Sequence, residues 1–172
     1  ADFTADLHGP TSLRLVEFVP TGAPLVVELS PAALYPLVDR LLGGPGAAEP
    51  IPSRAPSRVE HAIAAVFYRH VLGWLAASWG DAVPEARFEL GESEHNPLLM
   101  QVFEPTEPVV TVELALRLGA ARGPLRLCFA IREFEGVIAG IFARESGRRH
   151  GATDEARLLD SMRDASVTLA AE

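Results

Sequence analysis

Two short apolar runs, Leu13 to Val19 and Leu25 to Leu29, flank Pro20-Thr21-Gly22-Ala23-Pro24, which supplies Gly and Pro where a turn needs them. They predict a β-hairpin. The hydrophobic period then changes. Ser30 offers an N-cap and Pro31 takes the first helical position, and Leu34, Leu37, Val38, Leu41 and Leu42 follow at helical spacing until Gly43-Gly44-Pro45-Gly46 stops the helix. Residues 47–56 are rich in Ala and Pro and predict an extended loop. Ser57 and Glu60 then stand at capping-box spacing, and Val59, Ile63, Val66, Phe67, His70, Val71, Trp74, Leu75 and Trp79 form a broad apolar stripe on a long helix closed by Gly80-Asp81 and Pro84.

The rest is mostly β: Ala86 to Leu90, Leu98 to Phe103, Val109 to Leu118 and Leu125 to Ala130. Val110, Val112, Leu114, Leu116 and Leu118 alternate with Thr111, Glu113, Ala115 and Arg117, the pattern of a sheet with one buried face. A helix is expected over Glu133 to Ala143, which completes a domain spanning 1–144. Residues 145–153, polar and carrying Gly147 and Gly151, read as a linker. The remainder, 154–172, reads as a short helix and the opening strand of a further domain.

An internal repeat emerges at an offset of 100 residues. Pro24-Leu25-Val26-Val27-Glu28-Leu29 falls on Pro124-Leu125-Arg126-Leu127-Cys128-Phe129, and Leu34, Leu37, Val38, Leu41 and Leu42 fall on Phe134, Val137, Ile138, Ile141 and Phe142. Hairpin, strand and helix recur in the same order. The expected fold is therefore a pseudo-two-fold α/β domain built from two hairpin-plus-helix repeats and a long helix.

Composition narrows the function classes. Of 172 residues, 48% are hydrophobic and 22% charged, which is a globular balance. The net charge is -8, every cation is an Arg, and these are scattered, so nucleic acid and anionic lipid are poor partners. The single Cys128 lies in an apolar segment and cannot form an internal disulfide, which points to a reducing compartment. The long helix carries Glu60, His61, Arg69 and His70, so direct membrane insertion is not expected. Nor does the start Ala1-Asp2-Phe3 read as a secretory leader; it reads as a piece of a longer protein.

Local signals for catalysis are weak. There is no Gly-x-Ser-x-Gly elbow, Cys128 reads as packing, and His61 and His70 are too far apart for a paired metal site. Glu92, Glu94, Glu104 and Glu107 lie in turn-rich β segments, where a solvated rim is the usual explanation. No metal and no cofactor is expected. The tetrad Gly43 to Gly46 lacks the Lys-Ser/Thr of a phosphate loop. A helix C-cap explains Gly43 and Pro45, whereas three glycines also suit a bare backbone that another protein can approach closely. If the loop were a docking surface alone, a charged residue at Gly44 or Gly46 would abolish docking while stability barely moved.

The order Leu41-Leu42-Gly43-Gly44-Pro45-Gly46, Pro-rich loop and capped helix with Trp79 near its end resembles the middle domain of the FliM family of flagellar motor switch proteins. The later segment His95-Asn96-Pro97-Leu98-Leu99-Met100-Gln101-Val102-Phe103-Glu104-Pro105 is similar to that family's second signature. The resemblance covers Thr11 to Phe142, with the family's first helix clipped. It implies the α/β/α fold shared with the CheC and CheX phosphatases. It also implies a structural and switching role, without catalysis, in the cytoplasmic ring of the motor at the inner face of the cell membrane. The loop that docks the rotor protein FliG through its middle domain carries over to Gly43, Gly44, Pro45 and Gly46. Further implied partners are neighbouring FliM copies, FliN through a C-terminal SpoA domain whose entry resembles Met162 to Leu169, and phosphorylated CheY mainly through an N-terminal segment without a counterpart here.

Two rival classes are weighed against this. A CheC-like phosphatase of phosphorylated CheY needs a Glu and an Asn three residues apart on one helix turn. The single Asn96 precedes a Pro, which disfavours helix, and Glu60 has Ile63 three positions on. A small-ligand-binding α/β module leaves no mark in sequence.

Overall fold

The computed structural model describes residues 10–46, 50–80, 83–94, 96, 102–104 and 106–148. The hairpin forms where the alternation places it, as β1 (Ser12–Phe18) and β2 (Ala23–Leu29), and helix α1 (Pro31–Leu41) follows directly with Pro31 in its first turn. Helix α2 (Arg58–Trp79) opens with the expected capping box: the Ser57 side chain accepts from the Glu60 N–H and the Glu60 carboxylate accepts from the Ser57 N–H. Strands β3 (Phe88–Glu94), β4 (Val109–Leu118) and β5 (Ala121–Ala130) and helix α3 (Ile131–Arg148) complete the order.

The strands make one antiparallel sheet in the order β3-β1-β2-β5-β4. At its centre Leu25 pairs with Phe129, Val27 with Leu127 and Leu29 with Leu125. Residues about 100 apart in sequence thus meet around a local two-fold that passes by Val27 and Leu127, and the repeat becomes a symmetry of the sheet.

Alternation along each strand divides the residues between the two faces. Val16, Phe18, Leu25, Val27, Leu29, Leu125, Leu127 and Phe129 form one core with Leu34 and Leu37 of α1, Ala64, Tyr68 and Leu72 of α2, and Phe134 and Val137 of α3. Phe18 sits at its aromatic centre, with its ring 5.3 Å from those of Phe88 and Phe134 and 5.7 Å from that of Trp79. On the opposite face Leu13, Val26 and Cys128 are buried against Val102, Phe103 and Val109. Beside them the buried Glu28 accepts from the Thr11 hydroxyl and pairs with Arg126 at 3.2 Å, and Arg126 reaches on to Glu113 at 2.8 Å.

Several expectations change. The strand expected over Ala86 to Leu90 begins at Phe88 and runs on to Glu94, because its register with β1 shifts between Arg14 and Val16 and pairing resumes beyond. Of the strand expected over Leu98 to Phe103, residues 98–101 lie outside the described residues, and Val102 and Phe103 are not in a strand. Helix α3 starts at the end of β5 and runs to Arg148, into the stretch expected as a linker. Residues 149–172, including the expected short helix and final strand, lie outside the described residues.

The largest change is the rotation of α2. Its buried face is His61, Ala64, Ala65, Tyr68, Val71 and Leu72, and of the expected apolar stripe Ile63, Phe67, Val71, Leu75 and Trp79 pack on the core as expected while Val59, Val66, His70 and Trp74 face outward. The alanines let the helix approach the sheet closely. The Tyr68 hydroxyl then reaches Ser12, 2.9 Å from its Oγ and donating to its carbonyl, while Arg14 donates to the His61 carbonyl at 2.9 Å. A helix apolar nearly all round leaves its facing to such contacts, not to its period.

Candidate functional site

The stripe of α1 that faces the sheet ends at Val38, and its last turn must be closed. The Gly43 N–H donates to the Arg40 carbonyl at 3.0 Å and the Gly44 N–H to the Asp39 carbonyl at 2.8 Å, with Gly43 at φ 92°. This is the pair of bonds by which a left-handed residue ends a helix, and among the described residues nothing lies within 4 Å of where a Gly43 side chain would begin. Gly43 is therefore a glycine for its backbone.

Gly44 and Gly46 have other reasons. A Cβ on Gly44 would overlap the Asp39 carboxylate, and one on Gly46, which is at φ 76°, would overlap the Arg40 side chain. The Gly46 N–H donates to Asp39 Oδ2 at 2.8 Å, and Arg40 Nη1 donates to the Pro45 carbonyl at 3.3 Å. The expectation that a charged residue at Gly44 or Gly46 leaves stability almost unmoved therefore meets two conditions: the Asp39 carboxylate must move aside for a side chain at Gly44, and Gly46 is held in the left-handed region. The N–H groups of Leu42, Gly43, Gly44 and Gly46 are all bonded within the chain and Pro45 has none, so the loop's backbone is not an anion cradle.

Beside the loop lies an open apolar groove of about 660 Å³ between the end of α1 and the start of α2. Leu41, Leu42, Val59, Ala62, Ile63 and Val66 line it, together with Arg58. Leu42 is 70% exposed and Val59 67%, values that a residue meant for the domain's own core would not show. In the sequence, Leu41 and Leu42 stand at helical spacing with Leu34, Leu37 and Val38, and Val59 and Val66 belong to the apolar stripe of the long helix. Their helical spacing was visible; that they overhang the core was not.

The wall of α2 is fixed by a strap. Arg54 holds Glu60 through two bonds of 2.6 and 2.8 Å, its guanidinium lies over the Tyr35 ring, and the Tyr35 hydroxyl donates to the Arg54 carbonyl at 2.8 Å. The bond from Arg54, with help from Ser57, draws the Glu60 carboxyl down to about 2.

The other candidates do not converge. His61 is buried with Nδ1 3.2 Å from Ser12 Oγ, and the exposed His70 places its Nδ1 2.8 Å from the Val66 carbonyl. Burial pushes the Cys128 thiol up to about 11, which suits packing and not attack. Asn96 lies beyond the end of β3 with its N–H on the Glu94 carboxylate, and Glu60 is committed to Arg54 and the α2 cap, so the Glu and Asn of a phosphatase turn are not brought together.

The family model described as flagellar motor switch protein FliM matches residues 1–145. The chain belongs to the FliM family. Curated FliM proteins from Borreliella burgdorferi and Pseudomonas aeruginosa are 24% and 29% identical to it, over 95% and 79% of this chain and 46% and 42% of their own length. The chain spans about half the length of the FliM relatives it matches. A chain from the crystal structure of the FliG-FliM complex from H. pylori is 28% identical with a TM-score of 0.75, covering 80% of this chain and 75% of that one. The FliM middle domain from H. pylori superposes with a TM-score of 0.71 at 25% identity, covering 81% and 74%. The fold of this chain is that of the FliM middle domain.

Proposed function

We propose that this chain is the scaffolding part of a bacterial flagellar motor switch that docks the rotor protein FliG through the loop Gly43–Gly46 and the groove beside it. The observation that carries this reading is the apolar groove, with Leu42 and Val59 largely exposed, running directly into a bare loop that closes α1. A soluble domain leaves such a surface open where a partner covers it. FliM-family membership and the likeness to a chain of a FliG-FliM complex support FliG as that partner. Side-by-side packing with neighbouring copies in a cytoplasmic ring belongs to the same reading, as do contacts with FliN and phosphorylated CheY made by other parts of the full-length protein.

Catalysis has no part in it. The phosphatase alternative lacks its paired Glu and Asn, and Glu60 already has a structural task.

The test is binding of purified chain to the FliG middle domain of the same organism, measured by calorimetry with Leu42→Asp and Val59→Asp alongside. Both substitutions fall on exposed side chains, so melting should stay within a few degrees while affinity falls about tenfold or more, as expected for a contact near the centre of an interface. Folded variants that bind like the parent would overturn the reading.

A further inference from the structure

We infer that Asp39 and Arg40 are positioning residues for the Gly43–Gly46 loop: they set its shape from beneath, and Gly44 and Gly46 are glycines to make room for these two side chains. The effect on docking rests on the function proposed above; the effect on loop shape stands alone.

The two residues grip the loop from both ends. Asp39 takes the Gly44 N–H on its main-chain oxygen and the Gly46 N–H on its carboxylate, so one residue spans the loop with two bonds of 2.8 Å. Arg40 lies beneath Gly46, bonds the Pro45 carbonyl and places Nη1 within 3.3 Å of where a Gly119 side chain would begin, at the β4–β5 turn. The Arg40 side chain thus runs between the loop and that turn. Gly46 is buried although Gly43 and Pro45 before it are exposed, so its N–H needs the carboxylate as its acceptor. A pair of charged residues in the last turn of a helix ordinarily reads as a solvated face. Here the overlap that any Cβ at Gly44 or Gly46 would make with them shows the space between side chains and loop to be filled.

Two readouts test this, one of them without FliG. Amide exchange at Gly46 should be slow in the parent and in Asp39→Asn, which keeps an oxygen acceptor, and faster by about tenfold in Asp39→Ala. In thermal melts Gly44→Ala should be destabilising in the parent and have little further effect in an Asp39→Ala background, because the group it strikes is gone. FliG affinity should follow the exchange data: close to the parent for Asp39→Asn, down about tenfold for Asp39→Ala, with Arg40→Lys between them. If Gly46 stays protected in Asp39→Ala, or Gly44→Ala costs the same in both backgrounds, the inference falls whatever FliG does. If the parent itself does not bind FliG, the docking function falls, and exchange and coupling still decide the positioning role.

Discussion

Val27 and Leu127 face each other across the seam between β2 and β5, and they are also equivalent residues of the two repeats. A residue paired with its own repeat mate lies on the local two-fold, so both are enclosed by the shared core and neither belongs to one half alone. Val27→Ala should cost about 1–3 kcal/mol through lost burial and an unfilled space. Urea unfolding should remain a single transition seen alike by far-ultraviolet dichroism and Trp fluorescence, whereas two separated transitions would mean the halves fold independently.

The aromatic centre gives a larger effect. Phe18 is fully buried among Trp79, Phe88 and Phe134, and Phe18→Ala should cost about 3–5 kcal/mol. Equilibrium denaturation checks this, and a loss below about 1 kcal/mol would mean that the cluster collapses around the gap.

The two tryptophans should separate in quenching. Trp74 is 67% exposed, while Trp79 packs edge-on against Phe18, Phe88 and Phe134. Acrylamide should quench the Trp79→Phe variant strongly and the Trp74→Phe variant weakly. Equally weak quenching of both would mean that Trp74 also lies inward, as the apolar stripe of the sequence suggests.

Two carboxylates should give stability opposite pH dependences. Glu60 titrates lower in the fold than its ordinary 4.5, at about 2, so its contribution is present above 4.5 and is lost as pH falls towards 2. Burial raises Glu28 despite its bonds to Thr11 and Arg126, so its contribution is full below 4.5 and is lost as pH rises through the folded value. In urea midpoints measured against pH, Glu60→Gln should flatten the acid limb and Glu28→Gln the decline above it. Unchanged profiles in both variants would contradict these environments.

Gly43→Ala should cost about 1 kcal/mol for the left-handed backbone alone, because nothing among the described residues crowds the new side chain. Gly43→Asn should cost less, since Asn tolerates that region. Thermal melts that rank Asn below Ala would show the site to be limited by space.

What the sequence made legible was whatever its short-range chemistry dictates. Ser57 and Glu60 stand three apart because a capping box requires it, Gly43 follows Leu42 because helices end that way, and the alternation from Val110 to Leu118 can only be a half-buried strand. The repeat made even the long-range pairing of β2 with β5 accessible. The facing of α2 was not legible, because Val59, Val66 and Trp74 are as apolar as the residues it buries, and Ser12 and Tyr68, which settle the matter, lie 56 residues apart. Nor were Asp39 and Arg40, whose charges look solvated until the loop is seen folded back on them.

The antiparallel seam at the two-fold also governs the order of events during folding. Each hairpin closes over a few residues, with Phe18 meeting Ala23 and Leu118 meeting Ala121, but β2 meets β5 only by joining residues about 100 apart, and β1 meets β3 across about 70. The entropy of closing such loops must be met before α1, α2 and α3 have a common sheet to cover. Assembly is therefore limited by the search of one hairpin for the other, and a newly made chain must wait for β5 to emerge before its first half has a stable place to rest.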